Sequence, residues 1–85
     1  MKNVEDLFVL IGQNMKKIRT EKINNTQEKL AEDINISRAF ISQLESSKIN
    51  KGVSLDTLFY IAQQYNIDIR DFFEGYEDLM DEKKN

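Results

Sequence analysis

The segment from residue 38 to residue 46 carries side chains that could hydrogen bond to nucleic acid bases. If Ile41 and Leu44 face inward, helical periodicity turns the small and polar residues of this segment outward. The outward set is Ala39, Ser42, Gln43 and Ser46, with Arg38 and Phe40 at its edges. Arginine can form paired hydrogen bonds with guanine and glutamine with adenine, and small neighbours would let a helix enter a groove. An ordinary solvated polar face explains these residues equally well.

Residue types needed for several kinds of enzymatic and metal chemistry are missing or badly placed. The 85-residue chain has no Cys and no His, which excludes thiol catalysis, disulfide bonds and the usual zinc sites. Glu32 and Asp33 are adjacent carboxylates. Neighbouring residues on a helix do not face one another, so these two do not make an acid and base pair. We therefore expect no enzyme, no cofactor or metal, and no small-molecule ligand.

Two short amphipathic helices joined by a tight turn would position the polar segment. Thr26 and Ser37 are good N-caps, and Asn35 tolerates the left-handed conformation that the turn requires. Ile36 before the second cap and Ile41 after it form a hydrophobic staple. These signals indicate a helix-turn-helix from Thr26 to Glu45. The apolar residues at helical spacing are Leu30, Ala31, Ile34, Ile36, Ile41 and Leu44.

This stretch resembles the Cro/C1-type (XRE-like) helix-turn-helix family. The family pattern is Thr or Ser followed by Gln, then Leu-Ala, a Gly at the turn, and later Ile-Ser and Glu. The matching residues are Thr26, Gln27, Leu30, Ala31, Ile41, Ser42 and Glu45. The resemblance extends over roughly residues 11–73. Asn35 replaces the turn Gly, one extra residue precedes Thr26, and the loop after Glu45 is longer and lacks the usual Pro.

The resemblance implies a compact all-α, five-helix domain, similar to lambda repressor, that binds double-stranded DNA. It favours base contacts over a solvated face for Arg38, Ala39, Ser42 and Gln43. It also implies a phosphate contact by Gln27 and a structural ion pair between Arg19 and Glu45. Further phosphate contacts are expected from Ser46 and the following loop, although lysines in such a loop often serve solubility alone. The loop candidates are Lys48, Asn50 and Lys51.

Charge is divided unevenly along the chain, whose net charge is -3 and whose sequence pI is near 4.9. Residues 13–51 contain eight basic and five acidic residues, a local charge of +3, whereas residues 52–85 contain three basic and eight acidic residues, a local charge of -5. Local potential governs the encounter with DNA, so the acidic half can face away from it. The apolar run at residues 7–11 is too short for a membrane span and lacks signal-peptide features, so we expect a cytoplasmic protein.

The periodicity predicts one domain over residues 1–85, built from five helices with a possible short sixth. The first helix runs from about Val4 to about Lys22. A serine cap at position 54 opens a helix that ends near Tyr65, and an aspartate cap at position 68 opens a short fifth helix that Gly75 breaks. The acidic tail, residues 76–85, either forms the sixth helix or frays.

Large apolar residues late in the chain exceed what a core of this size can easily cover. We expect them to form an isologous homodimer, which would place two motifs on a pseudo-palindromic operator. Among relatives of this size, controller proteins of restriction–modification systems are favoured slightly over phage-type repressors and antitoxin regulators. The alternative function is an antitoxin or adaptor that binds a partner through its acidic half. The candidates for the homodimer interface are Leu55, Phe59, Ile69, Phe72, Phe73, Tyr76 and Leu79.

Overall fold

A computed structural model of the chain describes residues 3–46 and 52–80. Its four α-helices are α1 (Val4–Lys17), α2 (Gln27–Ile34), α3 (Arg38–Glu45) and α4 (Leu55–Tyr65). Two 3₁₀ helices follow α4, Ile69–Phe73 and Tyr76–Leu79. With the first 3₁₀ helix counted as the fifth helix, the predicted all-α, five-helix fold is confirmed, and the described residues contain no strand.

The helices begin at the polar caps that the sequence predicts. The side-chain oxygens of Thr26, Ser37 and Ser54 each accept a hydrogen bond from the backbone N–H three residues later, at the start of α2, α3 and α4 respectively. Asn35 and Asn66 end α2 and α4 in the left-handed conformation, with φ of 58° and 55°. These local signals fix the helix ends, because each one satisfies backbone groups that the helix itself leaves without partners.

The end of the first helix differs from the regular α-helix that the sequence predicts. After Lys17 the chain continues as a π-helical turn, Ile18–Ile23, in which the Arg19 carbonyl accepts from the backbone N–H of Asn24. The same carbonyl also accepts from the backbone N–H of Asn25, at 3.1 Å. Two bonds to one carbonyl hold the left-handed turn at Asn24, which leads the chain into α2.

One hydrophobic core is shared by the helices from α1 to the first 3₁₀ helix. Phe72 is completely buried within it, so its prediction as an interface residue is wrong. The short 3₁₀ helix turns this ring inward, where it packs with residues of the earlier helices instead of facing a partner. The buried apolar residues are Ile11, Met15, Ile18, Leu30, Ala31, Ile41, Leu44, Leu58, Ile61, Ala62 and Phe72.

A glycine allows α1 and α3 to cross at very close range. Gly12 is buried on α1, and a Cβ atom added there would overlap the backbone carbonyl oxygen of Leu44 on α3. A backbone atom cannot move aside as a flexible side chain can. Gly12 therefore determines how deeply α3 sits against α1.

A buried amide attaches the fifth helix to α1. The Asn14 side-chain nitrogen donates to the backbone carbonyls of Phe72, at 2.8 Å, and of Glu74, at 2.9 Å. These carbonyls lie at the C-terminal end of a 3₁₀ helix, where intrahelical partners are missing. Within the described residues, no helix has the length and apolar character needed to cross a membrane.

Candidate nucleic-acid interface

The outer surface of α3 brings the four predicted base-contacting residues together. Arg38, Ala39 and Ser42 are exposed and Gln43 is partly exposed. They face outward because Ile41 and Leu44 occupy the core on the opposite side of the helix. The surface is narrow, since the side chains between the arginine and the glutamine are small. Such a surface can enter the major groove of DNA and present both long side chains to base edges.

The turn before α3 fixes the angle of this surface. Asn35 takes the left-handed conformation that the usual Gly would supply, and the backbone N–H of Ile36 donates to the carbonyl of Ala31 at 3.0 Å. Ile36 and Phe40 are both partly buried and pack against the core. The replacement of Gly by Asn therefore leaves the turn intact.

Arg19 and Glu45 form a nearly buried ion pair between the end of the first helix and the end of α3. The Arg19 Nε atom donates to Glu45 Oε2 at 2.8 Å, and its Nη2 atom donates to Oε1 at 2.9 Å. The two side chains are only 10% and 3% exposed. The hydrogen bonds to Glu45 raise the pKa of Arg19 above its ordinary value. The guanidinium also donates to the Asn25 carbonyl at 2.8 Å, so it holds the turn before α2 as well.

Gln27 lies at the first position of α2, where the resemblance places a phosphate contact. Its Nε2 atom donates to Glu45 Oε1 at 3.0 Å. One carboxylate thus accepts hydrogen bonds from both Arg19 and Gln27. The contact between Gln27 and Glu45 was not predicted from the sequence.

A second polar contact, also not predicted, attaches the far end of α2 to α4. The Tyr65 hydroxyl donates to Asp33 Oδ2 at 2.6 Å, and Lys29 lies 3.2 Å from the other carboxylate oxygen. The hydrogen bond from Tyr65, with a smaller contribution from Lys29, lowers the pKa of Asp33. Burial and the neighbouring carboxylate raise the pKa of Tyr65 to about 12. Both ends of α2 are therefore fixed by side-chain hydrogen bonds.

Of the residues after α3 that are predicted to contact phosphate, only Ser46 lies within the described part of the chain. Ser46 follows α3, and its backbone N–H donates to the Gln43 carbonyl at 3.2 Å. The loop candidates Lys48, Asn50 and Lys51 lie outside the described residues.

The remaining predicted interface residues divide into two groups by exposure. Leu55, Phe59 and Tyr76 are exposed, whereas Ile69, Phe73 and Leu79 are partly buried. Tyr60, which was not predicted from the sequence as an interface residue, is 59% exposed beside Phe59. Their rings are 6.0 Å apart between centroids and tilted by 59°. The exposed apolar residues of α4 are therefore Leu55, Phe59 and Tyr60.

Comparison with known proteins identifies the motif and its relatives. The family model described as "Helix-turn-helix" matches residues 15–72. The chain is 35% identical over 69 residues to Control protein C.BamHI from Bacillus amyloliquefaciens, an alignment that covers 81% of this chain and 83% of the relative. It is 32% identical over 74 residues to Control protein C.MunI from Mycoplasma sp., covering 87% of this chain and 97% of the relative.

Proposed function

This chain belongs to the helix-turn-helix family, and on that premise we propose that it is a controller protein of a restriction–modification system. Its role as a DNA-binding regulator follows from the family match over residues 15–72. The restriction–modification system is supported by the similarity to two control proteins over most of each chain. We further propose that it acts without enzymatic activity, in the cytoplasm, where its DNA would be accessible.

The outer face of α3 is the observation that carries this proposal. Arg38 can supply paired donors and Gln43 a donor and an acceptor for base edges, and Ala39 and Ser42 keep the helix narrow between them. Gln27, Ser46 and the loop lysines would contact phosphates and set the position of α3 without reading sequence. Base contacts then provide the discrimination between operator and other DNA.

We also propose that the regulator binds as a homodimer. A single module of this size offers limited contact area, and a two-fold dimer doubles it. The exposed apolar residues of α4 support this proposal, because exposed clusters of large apolar side chains commonly mark interaction surfaces. A two-fold dimer would place two copies of α3 about 34 Å apart on one face of the duplex. The operator would then be a pseudo-palindrome.

Selection of bound sequences from a random duplex pool tests the proposal. The expected result is one enriched consensus with two inverted half-sites about one helical turn apart. The double variant Arg38→Ala and Gln43→Ala should lose the enrichment while remaining folded, because both residues lie on the outer surface. A pool that shows no enrichment with the native chain would contradict the proposal. It would favour the alternative, a protein-interaction module that uses the acidic half, residues 52–85, whose local charge is -5.

A further inference from the structure

Glu45 lies at the junction of the two DNA-contacting helices. It is the last residue of α3, and Gln27 is the first residue of α2. Glu45 Oε1 accepts from Gln27 Nε2 at 3.0 Å and from Arg19 Nη2 at 2.9 Å, while Oε2 accepts from Arg19 Nε at 2.8 Å. The residue expected to contact phosphate is therefore joined directly to the helix expected to contact bases.

The chemistry of the two side chains determines how Gln27 is oriented. An ionised carboxylate only accepts hydrogen bonds, so it must face the amide nitrogen of Gln27 and not the amide oxygen. That nitrogen carries two hydrogens, and one of them bonds to Glu45. The second hydrogen is available for a phosphate oxygen, which also only accepts. Without Glu45, the amide could rotate and present its oxygen, which a phosphate would repel.

Arg19 makes this arrangement compatible with an anion nearby. An unpaired carboxylate next to a phosphate would repel it, but Arg19 donates two hydrogen bonds to Glu45 and balances its charge. The Glu45 side chain is only 3% exposed. Water therefore has little access to compete for the Gln27 contact, and the ion pair holds the carboxylate in a single position.

We propose that Glu45 is a positioning residue for phosphate binding by Gln27, and that it couples this contact to the register of α3 in the groove. The proposal rests on the DNA-binding function proposed above. It assigns Glu45 a role in binding in addition to its role in the ion pair with Arg19. A purely structural Glu45 would affect folding but would not act through Gln27.

A double-mutant cycle on DNA binding separates these two roles. Gln27→Ala, Glu45→Gln and the double variant are titrated with the selected operator and with a random duplex, at a temperature where circular dichroism shows each variant folded. Each single variant is expected to weaken binding to both DNAs by about tenfold, which equals about 1.4 kcal/mol. The double variant should be no weaker than Gln27→Ala alone, because Glu45 acts through Gln27. Glu32→Gln, which removes an exposed charge from α2, is the matched control and should bind like the native chain.

A measurement on the native chain covers the case in which Glu45→Gln does not fold. Nitrogen-15 relaxation of side-chain amides should show Gln27 to be more ordered than Gln63 and Gln64, which are exposed on α4. Equal mobility of the three amides would overturn the proposal. So would losses that multiply in the double variant, or full binding by Glu45→Gln. If the native chain binds the operator and any of these results is found, only the proposal for Glu45 fails and the proposed function stands. If the native chain binds no DNA, both the proposed function and the proposal for Glu45 fail.

Discussion

Helices α3 and α4 have similar buried faces and different exposed faces. Each begins after a serine whose hydroxyl accepts a backbone hydrogen bond, and each buries a short apolar stripe. The exposed residues of α3 are small or polar, namely Arg38, Ala39 and Ser42. On α4, by contrast, Leu55, Phe59 and Tyr60 are 66%, 47% and 59% exposed.

The difference fits the proposal that the core determines the inner faces, whereas contacts with DNA and with a second copy of the chain determine the outer ones. The core needs an apolar stripe from both helices, so the two stripes are similar. A DNA groove favours a narrow surface with hydrogen-bonding groups, as on α3. A protein interface instead favours large and rigid apolar side chains, as on α4. Changes to the two outer faces should therefore affect different partners, and changes to the inner contacts should affect folding.

The largest expected effect comes from breaking the ion pair that fixes the end of α3. Glu45→Ala leaves the Arg19 guanidinium nearly buried without its anion. We expect the free energy of unfolding to fall by about 3–5 kcal/mol, measured by reversible urea denaturation. Glu32→Ala removes an exposed carboxylate from α2 and should change stability little. If Glu45→Ala unfolds at the same urea concentration as the native chain, the pair does not stabilise α3.

A somewhat smaller effect is expected from separating α3 from α1. The added methyl group of Gly12→Ala would overlap the Leu44 carbonyl oxygen. Overpacking costs about 1–3 kcal/mol, and a rigid backbone neighbour places this case near the upper limit. Alanine recovers about 1 kcal/mol through its helix propensity, so a net loss of about 2 kcal/mol is expected in urea denaturation.

Gly75→Ala is the contrasting variant for that experiment. Gly75 has φ of 87°, and a Cβ atom there would lie 3.5 Å from the nearest atom, Leu10 Cδ1. It therefore introduces backbone strain of about 1 kcal/mol without a clash. A Gly12→Ala variant as stable as the native chain would mean that α1 and α3 can separate at no cost.

On the outer face of α3, the expected loss is in DNA binding instead of stability. Arg38→Ala and Gln43→Ala should each weaken binding to the selected operator by about 1–3 kcal/mol and binding to random duplex much less. Fluorescence anisotropy with both DNAs measures the difference. Gln27→Ala should weaken both complexes similarly, because a phosphate contact carries no sequence information. Equal losses on both DNAs for Arg38→Ala would make that arginine a phosphate contact.

The four helices and the turn could be predicted because their signals are local. Caps such as Thr26 and Ser37 act within three residues of their own position. Asn14 could not be assigned a role from sequence, since its two acceptors lie 58 and 60 residues away. The close approach at Gly12 likewise depends on how two distant helices cross. Phe72 was misplaced because counting apolar residues does not show which side of a short 3₁₀ helix faces the core.

The site follows the same division between local and distant signals. The outward direction of Arg38 and Ser42 follows from the spacing of the buried residues on α3. The contact of Gln27 with Glu45 spans 18 residues, and that of Tyr65 with Asp33 spans 32. Both depend on tertiary packing, which periodicity alone does not specify.

On the outer face of α4, the expected loss is in self-association. Phe59→Ser removes an exposed ring, so the fold should remain stable. The dissociation constant of the dimer should rise at least tenfold, which equals a loss of about 1.4 kcal/mol in the free energy of association. Sedimentation equilibrium at micromolar concentration measures this shift. Gln64→Ala changes an exposed polar residue of the same helix and should leave the dimer unchanged. A native chain that is monomeric both alone and on DNA would show that α4 serves another purpose.

The smallest expected effect concerns the contact between α2 and α4, which supports the motif from its far end. The pKa of Asp33 lies below its ordinary value chiefly because Tyr65 donates to its carboxylate. A carboxyl group whose pKa falls on folding stabilises the fold above its unfolded pKa, about 4, and this contribution is lost as the pH falls through the folded pKa. Tyr65→Phe should raise the pKa of Asp33 in a carbon-13 NMR titration and reduce the stability lost between about pH 7 and about pH 3. An unchanged pKa in Tyr65→Phe would assign the shift to Lys29 and leave α4 without a polar attachment to α2 at this residue.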